Sequence, residues 1–242
     1  MRELSELIDV EDPAWPLLQR ALDAGAAQVD VLPVDAGRGR AALLQLQITA
    51  RSYLGAIVLR TGGLLVDHGW LRVFGSPAAD DAQELPSLAQ VNRFPATPDM
   101  SWRPGDGLIV AHDLLGGVFA LNGASPDEAG RPGEPGEVVY FAPDSLRWEA
   151  LGVGHGKWLS WLVSGALEQF YEDLRWPGWQ DEVEGLAGSQ GLSVFPSLWS
   201  AEARRDLPAA SRRAVPMAEL LGLSRDASRQ FDGPDPGFLG AV

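Results

Sequence analysis

Residues 107–162 constrain this chain more than any other stretch. They read GLIVAHDLLGGVFALNGA, a Pro/Gly/acid loop, then GEVVYFAPDSLRWEALGVGHGKWLSWL. Four short β-branched and aromatic runs, separated by turn residues, lead into an amphipathic helical repeat. Such an order predicts a small antiparallel sheet backed by a helix. The apolar positions Trp158, Leu159, Leu162, Val163, Ala166, Leu167, Phe170, Tyr171 and Leu174 extend that helix over residues 157–174.

Upstream, Asp12-Pro13 opens a helix that Gly25 ends. Residues 29–32 are extended, and residues 39–48 give a second helix. The run GAIVLR, residues 55–60, reads as a strand joined through Thr61-Gly62-Gly63 to a second strand at 64–66. WLRVF at 70–74 alternates and makes a third. Residues 75–106 hold five prolines and read as a surface excursion with a short helix near 86–92. Two weaker helices are expected near 179–186 and 216–230. The expected fold is α+β: a mainly antiparallel central sheet of about six strands, drawn from 55–60, 64–67, 70–74, 107–111, 117–122, 137–141 and 146–149, with helices on one face. Residues 1–231 form one domain and residues 232–242 a frayed tail.

Charge and cysteine usage narrow the chemistry. The formal net charge is -14, which disfavours nucleic acid and anionic lipid as partners. The region 201–230 runs against this, with six arginines and four acids. There is no cysteine, hence no disulfide, thiolate metal site or thiol nucleophile, and a cytoplasmic setting is expected. No apolar run approaches the roughly 18 residues of a membrane span.

No catalytic spacing emerges. His68, His112 and His155 form no HxxxH or HxH pair, so no metal ligand set and no cofactor is expected. Gly152-Val153-Gly154-His155-Gly156-Lys157 superficially resembles a phosphate loop. Leu151 and Trp158 stand where that loop needs Gly and Ser or Thr, so a strand-to-helix turn is the better reading. Asp80-Asp81 and Glu172-Asp173 read as a solvated loop and a solvated helix face. If a pocket exists, Asp67, His68, Trp70 and His112, with the 75–106 loop, are its candidates for a small-molecule binder or hydrolase. Trp176 and Trp179 flank Pro177-Gly178, and two tryptophans are more than a helix-breaking turn needs.

Several segments, DPAWPLLQ, LLQLQITARSYLGAIVLRTGGLLVDHGWLRVFGS, LIVAHDLLGGVFALNG, VVYFAPDSLRWEALGVG and FYEDLRWPGW, resemble a bacterial family known as domain of unknown function 2625 over residues 1–232. Residues 105–170 are more distantly similar to the Smi1/Knr4-like (SUKH) superfamily, through Asp113, Gly116, Gly117, Phe119, Ala120, Leu121, Asn122, Gly136, Val138, Tyr140, Phe141, Trp148 and Trp161. That second resemblance implies a non-catalytic protein-interaction module, with immunity proteins that neutralise nuclease toxins among its members. A basic toxin nuclease is then the expected partner. The expected partner-binding surface comprises Asp113, Asn122 and Asp144 with Trp176 and Trp179.

Overall fold

The computed structural model describes residues 2–78, 84–105, 107–125, 131–231 and 233–242. Seven strands form one antiparallel meander in chain order: β1 (Val29–Leu32), β2 (Gly63–Val66), β3 (Leu71–Phe74), β4 (Gly107–Asp113), β5 (Val118–Asn122), β6 (Glu137–Ala142) and β7 (Arg147–Gly154). The expected α+β class with a mainly antiparallel sheet is borne out. A separate hairpin pairs β8 (Gln190–Phe195) with β9 (Ser211–Pro216). β4 is buried along its whole length, which explains its near-continuous apolar sequence. The helices Tyr53–Arg60 and His155–Val163 pack on each other, and the second also lies against β6 and β7. Among the described residues no helix is long and apolar enough to cross a membrane.

Several local expectations fail for identifiable reasons. GAIVLR is not a strand but most of the Tyr53–Arg60 helix. Leu54 to Leu59 are all buried, so the run carries no period to separate helix from strand. Ser52 decides it: its side chain accepts from the Gly55 amide at 2.9 Å as a helix N-cap. The 157–174 helix is interrupted. It stops at Val163, Gly165 takes φ +86°, and the chain resumes as a short helix, Leu167–Phe170, then a 3₁₀ turn, Glu172–Leu174. The β8–β9 hairpin and the helices Leu4–Ile8 and Ala201–Arg205 were not legible as elements. In the 75–106 stretch the Leu88–Val91 helix appears, capped by Ser87, and packs on β4. Asp80 and Asp81 lie outside the described residues.

The helices do not cover the sheet alone. Residues 233–242 are a strap across it, not a frayed tail. Trp148 Nε1 donates to Pro236 O at 2.9 Å, His112 Nε2 meets Leu239 O at 3.0 Å, and the Ala241 amide donates to Val91 O at 2.8 Å. Leu239 is completely buried. Gly240, at φ +111°, passes so close to His112 that a Cβ there would sit 3.0 Å from the ring. The strap's Pro and Gly content reflects this fitted path.

His112 and His155 are buried, and burial lowers their pKa values to about 3 and about 4. For His112 the bond to Leu239 partly offsets burial, while the Arg72 charge adds to the lowering. Both are neutral in the fold and titrate near 6.5 once unfolded. Their contribution is therefore complete above pH ~6.5 and is lost as pH falls toward the folded values. Between pH ~7.5 and ~5 each should cost about 2 kcal/mol of stability. Burial raises the Asp113 carboxyl, an effect of opposite sign, so a difference isolates one imidazole. Urea unfolding of wild type and His112→Gln at the two pH values should show a pH-dependent loss smaller by about 2 kcal/mol in the variant.

Candidate binding cleft

The β2–β3 turn starts the site. Asp67, His68 and Gly69 take φ +50°, +57° and +86°, three successive left-handed residues that reverse the chain tightly. Asp67 thereby reaches Arg175, whose Nη2 donates to Asp67 Oδ2 at 2.7 Å. Arg175 follows the 3₁₀ turn and lies over three rings: Trp179 at 4.3 Å, Trp70 at 4.9 Å and Tyr171 at 5.5 Å. Beneath it Trp70, wholly buried, touches Trp179, Tyr171 and Trp176 at centroid distances of 5.0, 5.4 and 5.8 Å. His68 is exposed and stands edge-on to Trp179 at 5.9 Å.

Asp67, His68, Arg175 and Trp179 help to wall an open cleft of about 950 Å³ between the 67–68 turn and residues 164–180, and Trp70 and Tyr171 lie behind that wall. Glu168 and Glu172 also line it, and both are exposed. Its lining thus carries three carboxylates and one arginine, and that arginine is already paired. His68 makes no hydrogen bond among the described residues, and Asp67 is pinned by Arg175, so no acid–imidazole couple forms. No group of His, Asp and Glu among the described residues could hold a metal ion. The arrangement is suited to holding a ligand against an aromatic wall and acidic rim.

The other candidates lie elsewhere. Asp113 is fully buried and cannot meet a partner. Its Oδ1 accepts from the Leu115 and Gly117 amides at 2.9 and 2.8 Å, and its Oδ2 from the Tyr140 and Tyr171 hydroxyls at 2.8 and 3.1 Å. Asn122 is buried too and donates from Nδ2 to Gly133 O at 2.7 Å. Trp176 is buried, its Nε1 donating to Glu182 at 2.8 Å beneath Arg212, so of the pair it is the half-buried Trp179 that offers the cleft the larger exposed surface. Asp144 is half-buried in the β6–β7 turn and lines a separate cavity with Arg147, Trp199 and Phe231. His112, under the strap, takes no part in the cleft. Sequence reasoning missed Arg175, Glu168 and Glu172. The signal for Arg175 was its place directly before Trp176-Pro177-Gly178-Trp179.

The family described as "Protein of unknown function DUF2625" matches residues 4–220. This chain belongs to that family. Among the relatives of this DUF2625 chain is the "Putative uncharacterized protein YbfG" of Escherichia coli (strain K12), 37% identical over 233 residues, covering 96% of this chain and 99% of that protein. An "Uncharacterized protein" of Haemophilus influenzae (strain ATCC 51907 / DSM 11121 / KW20 / Rd) is 32% identical over 198 residues, 82% of this chain and 83% of that protein. No solved structure matches.

The Asp113 knot yields a direct test. Asp113→Ala leaves two amides and two hydroxyls without their acceptor inside the core. It should lower unfolding free energy by about 3–5 kcal/mol, against about 1.5–3 kcal/mol for Tyr140→Phe, which removes one donor. Urea titration followed by far-UV circular dichroism reads both.

Proposed function

We propose that this DUF2625 chain is a non-catalytic binding module that holds a basic protein partner in the cleft between the 67–68 turn and residues 164–180. The lining carries the argument: Asp67, Glu168 and Glu172 face one arginine that Asp67 already neutralises, beside the half-buried Trp179. A lysine or arginine of the partner gains a carboxylate and an aromatic face there. The formal charge of -14 speeds encounter with a cationic surface. The resemblance of residues 105–170 to Smi1/Knr4-like modules adds a partner class, a basic toxin nuclease that this chain would neutralise. The hydrolase alternative on Asp67 and His68 is the weaker reading, since Asp67 is engaged with Arg175 and neither group orients the other.

A labelled arginine-rich peptide is the first probe. Binding measured by fluorescence anisotropy should weaken at least tenfold in the Glu168→Lys, Glu172→Lys double variant and also in Trp179→Ala. It should also fall as salt rises. Equal binding by wild type and both variants, each folded by circular dichroism, would overturn the assignment of this cleft.

A further inference from the structure

A second cavity of about 350 Å³ adjoins the cleft, and Gln28 and His68 line both. Its distinctive residue is Arg72 of β3, only 2% exposed. The guanidinium is held in place by main-chain oxygens. Nε donates to Gly69 O at 3.2 Å, and Nη1 to Gly188 O at 3.3 Å and to Gln190 O. Nη2 has no acceptor among the described residues, and no described carboxylate lies within 4.0 Å of the group. Arg175 and Arg212, both less buried, each have a carboxylate at 2.7–2.8 Å. Arg72 is thus a fixed, desolvated cation at a cavity wall with one face of its fork unused. Neutral carbonyls do not cancel its charge, and Asp113 acts on it only through space. A carboxylate arriving at Nη2 would make a charge-assisted bond to a donor that needs no reordering.

The remaining lining specifies the rest of the ligand. Asp30 and Glu184 are exposed on the same cavity and oppose a bare anion. Leu65 and Val183 are buried and Leu186 half-buried, which gives an aliphatic surface. The volume falls at the small end of ligand pockets, which run from about 300 to 1,000 Å³. We propose that this cavity binds a small aliphatic α-amino acid, with its carboxylate on Arg72, its ammonium toward Asp30 and Glu184, and its side chain against Leu65, Val183 and Leu186. This site stands apart from the basic partner assigned to the larger cleft.

Isothermal titration of the full chain with L-leucine, valine and alanine tests it, with 4-methylpentanoate and isoamylamine as analogues lacking the ammonium or the carboxylate. Saturable binding of at least one amino acid at millimolar concentration or below is expected, at least tenfold tighter than either analogue. The Asp30→Asn, Glu184→Gln double variant should weaken amino-acid binding at least tenfold without weakening 4-methylpentanoate. Both substitutions are at exposed positions, so they leave the carbonyl anchor of Arg72 intact. The Glu168→Lys, Glu172→Lys variant should bind the amino acid as wild type does, which separates this site from the larger cleft. No saturable binding by any of the three amino acids would overturn the proposal. So would isoamylamine binding as tightly as leucine, or a double variant at Asp30 and Glu184 that binds unchanged.

Discussion

One buried carboxylate organises the molecule. Asp113 ends β4, and its four donors come from three parts of the chain: the turn into β5, Tyr140 on β6, and Tyr171 in the segment that walls the cleft. A charge so deep is tolerated because every bond satisfies an oxygen lone pair that water would otherwise hold. Gly117 belongs to the same unit. A Cβ there would lie 2.0 Å from Asp113 Oδ2 and 2.6 Å from the Tyr140 hydroxyl, so the second glycine of the Gly-Gly pair is a steric necessity of the knot. Tyr171 in turn packs on Trp70, on which Arg175 rests. The cleft floor is therefore positioned by an interaction that never reaches solvent.

Arg72 does comparable work at the next level. Its bonds to Gly188 and Gln190 carbonyls, with the Leu192 amide donating to Leu114 O at 2.7 Å, dock the β8–β9 hairpin onto the end of the main sheet. Arg212 of β9 then reaches Glu182 and lies over Trp176, closing the same surface from the other side. The small sheet serves as a buttress for the aromatic segment.

The meander was largely legible because β3 to β7 carry β-branched and aromatic runs broken by clear turns. What failed did so where burial erased the pattern. GAIVLR is apolar on every side, and its helical identity rests on one capping serine. Asp113 and Asn122 read as surface polar residues because a sequence shows polarity but not the donors folded around it. Trp176 and Trp179 look equivalent in RWPGW, yet Trp176 is buried with Glu182 and Arg212 while Trp179 stays half-buried against Arg175 and His68. Arg175 could be read only as a helix-stop neighbour, since Asp67, its carboxylate partner, lies 108 positions away.

The strap bears on the order in which the fold is completed. Each strand of the meander pairs with its predecessor, so the sheet can zip as the chain emerges during synthesis. The face that carries His112 is different. Its cover is Leu239, 127 positions downstream, and Trp148 waits 88 positions for Pro236. A nascent chain thus presents an assembled sheet on which His112 and Trp148 lack their carbonyl partners until residues 236–239 are free. Until then the place that Leu239 fills is open to another apolar segment, which is how a long-range closing contact becomes a point of misassociation.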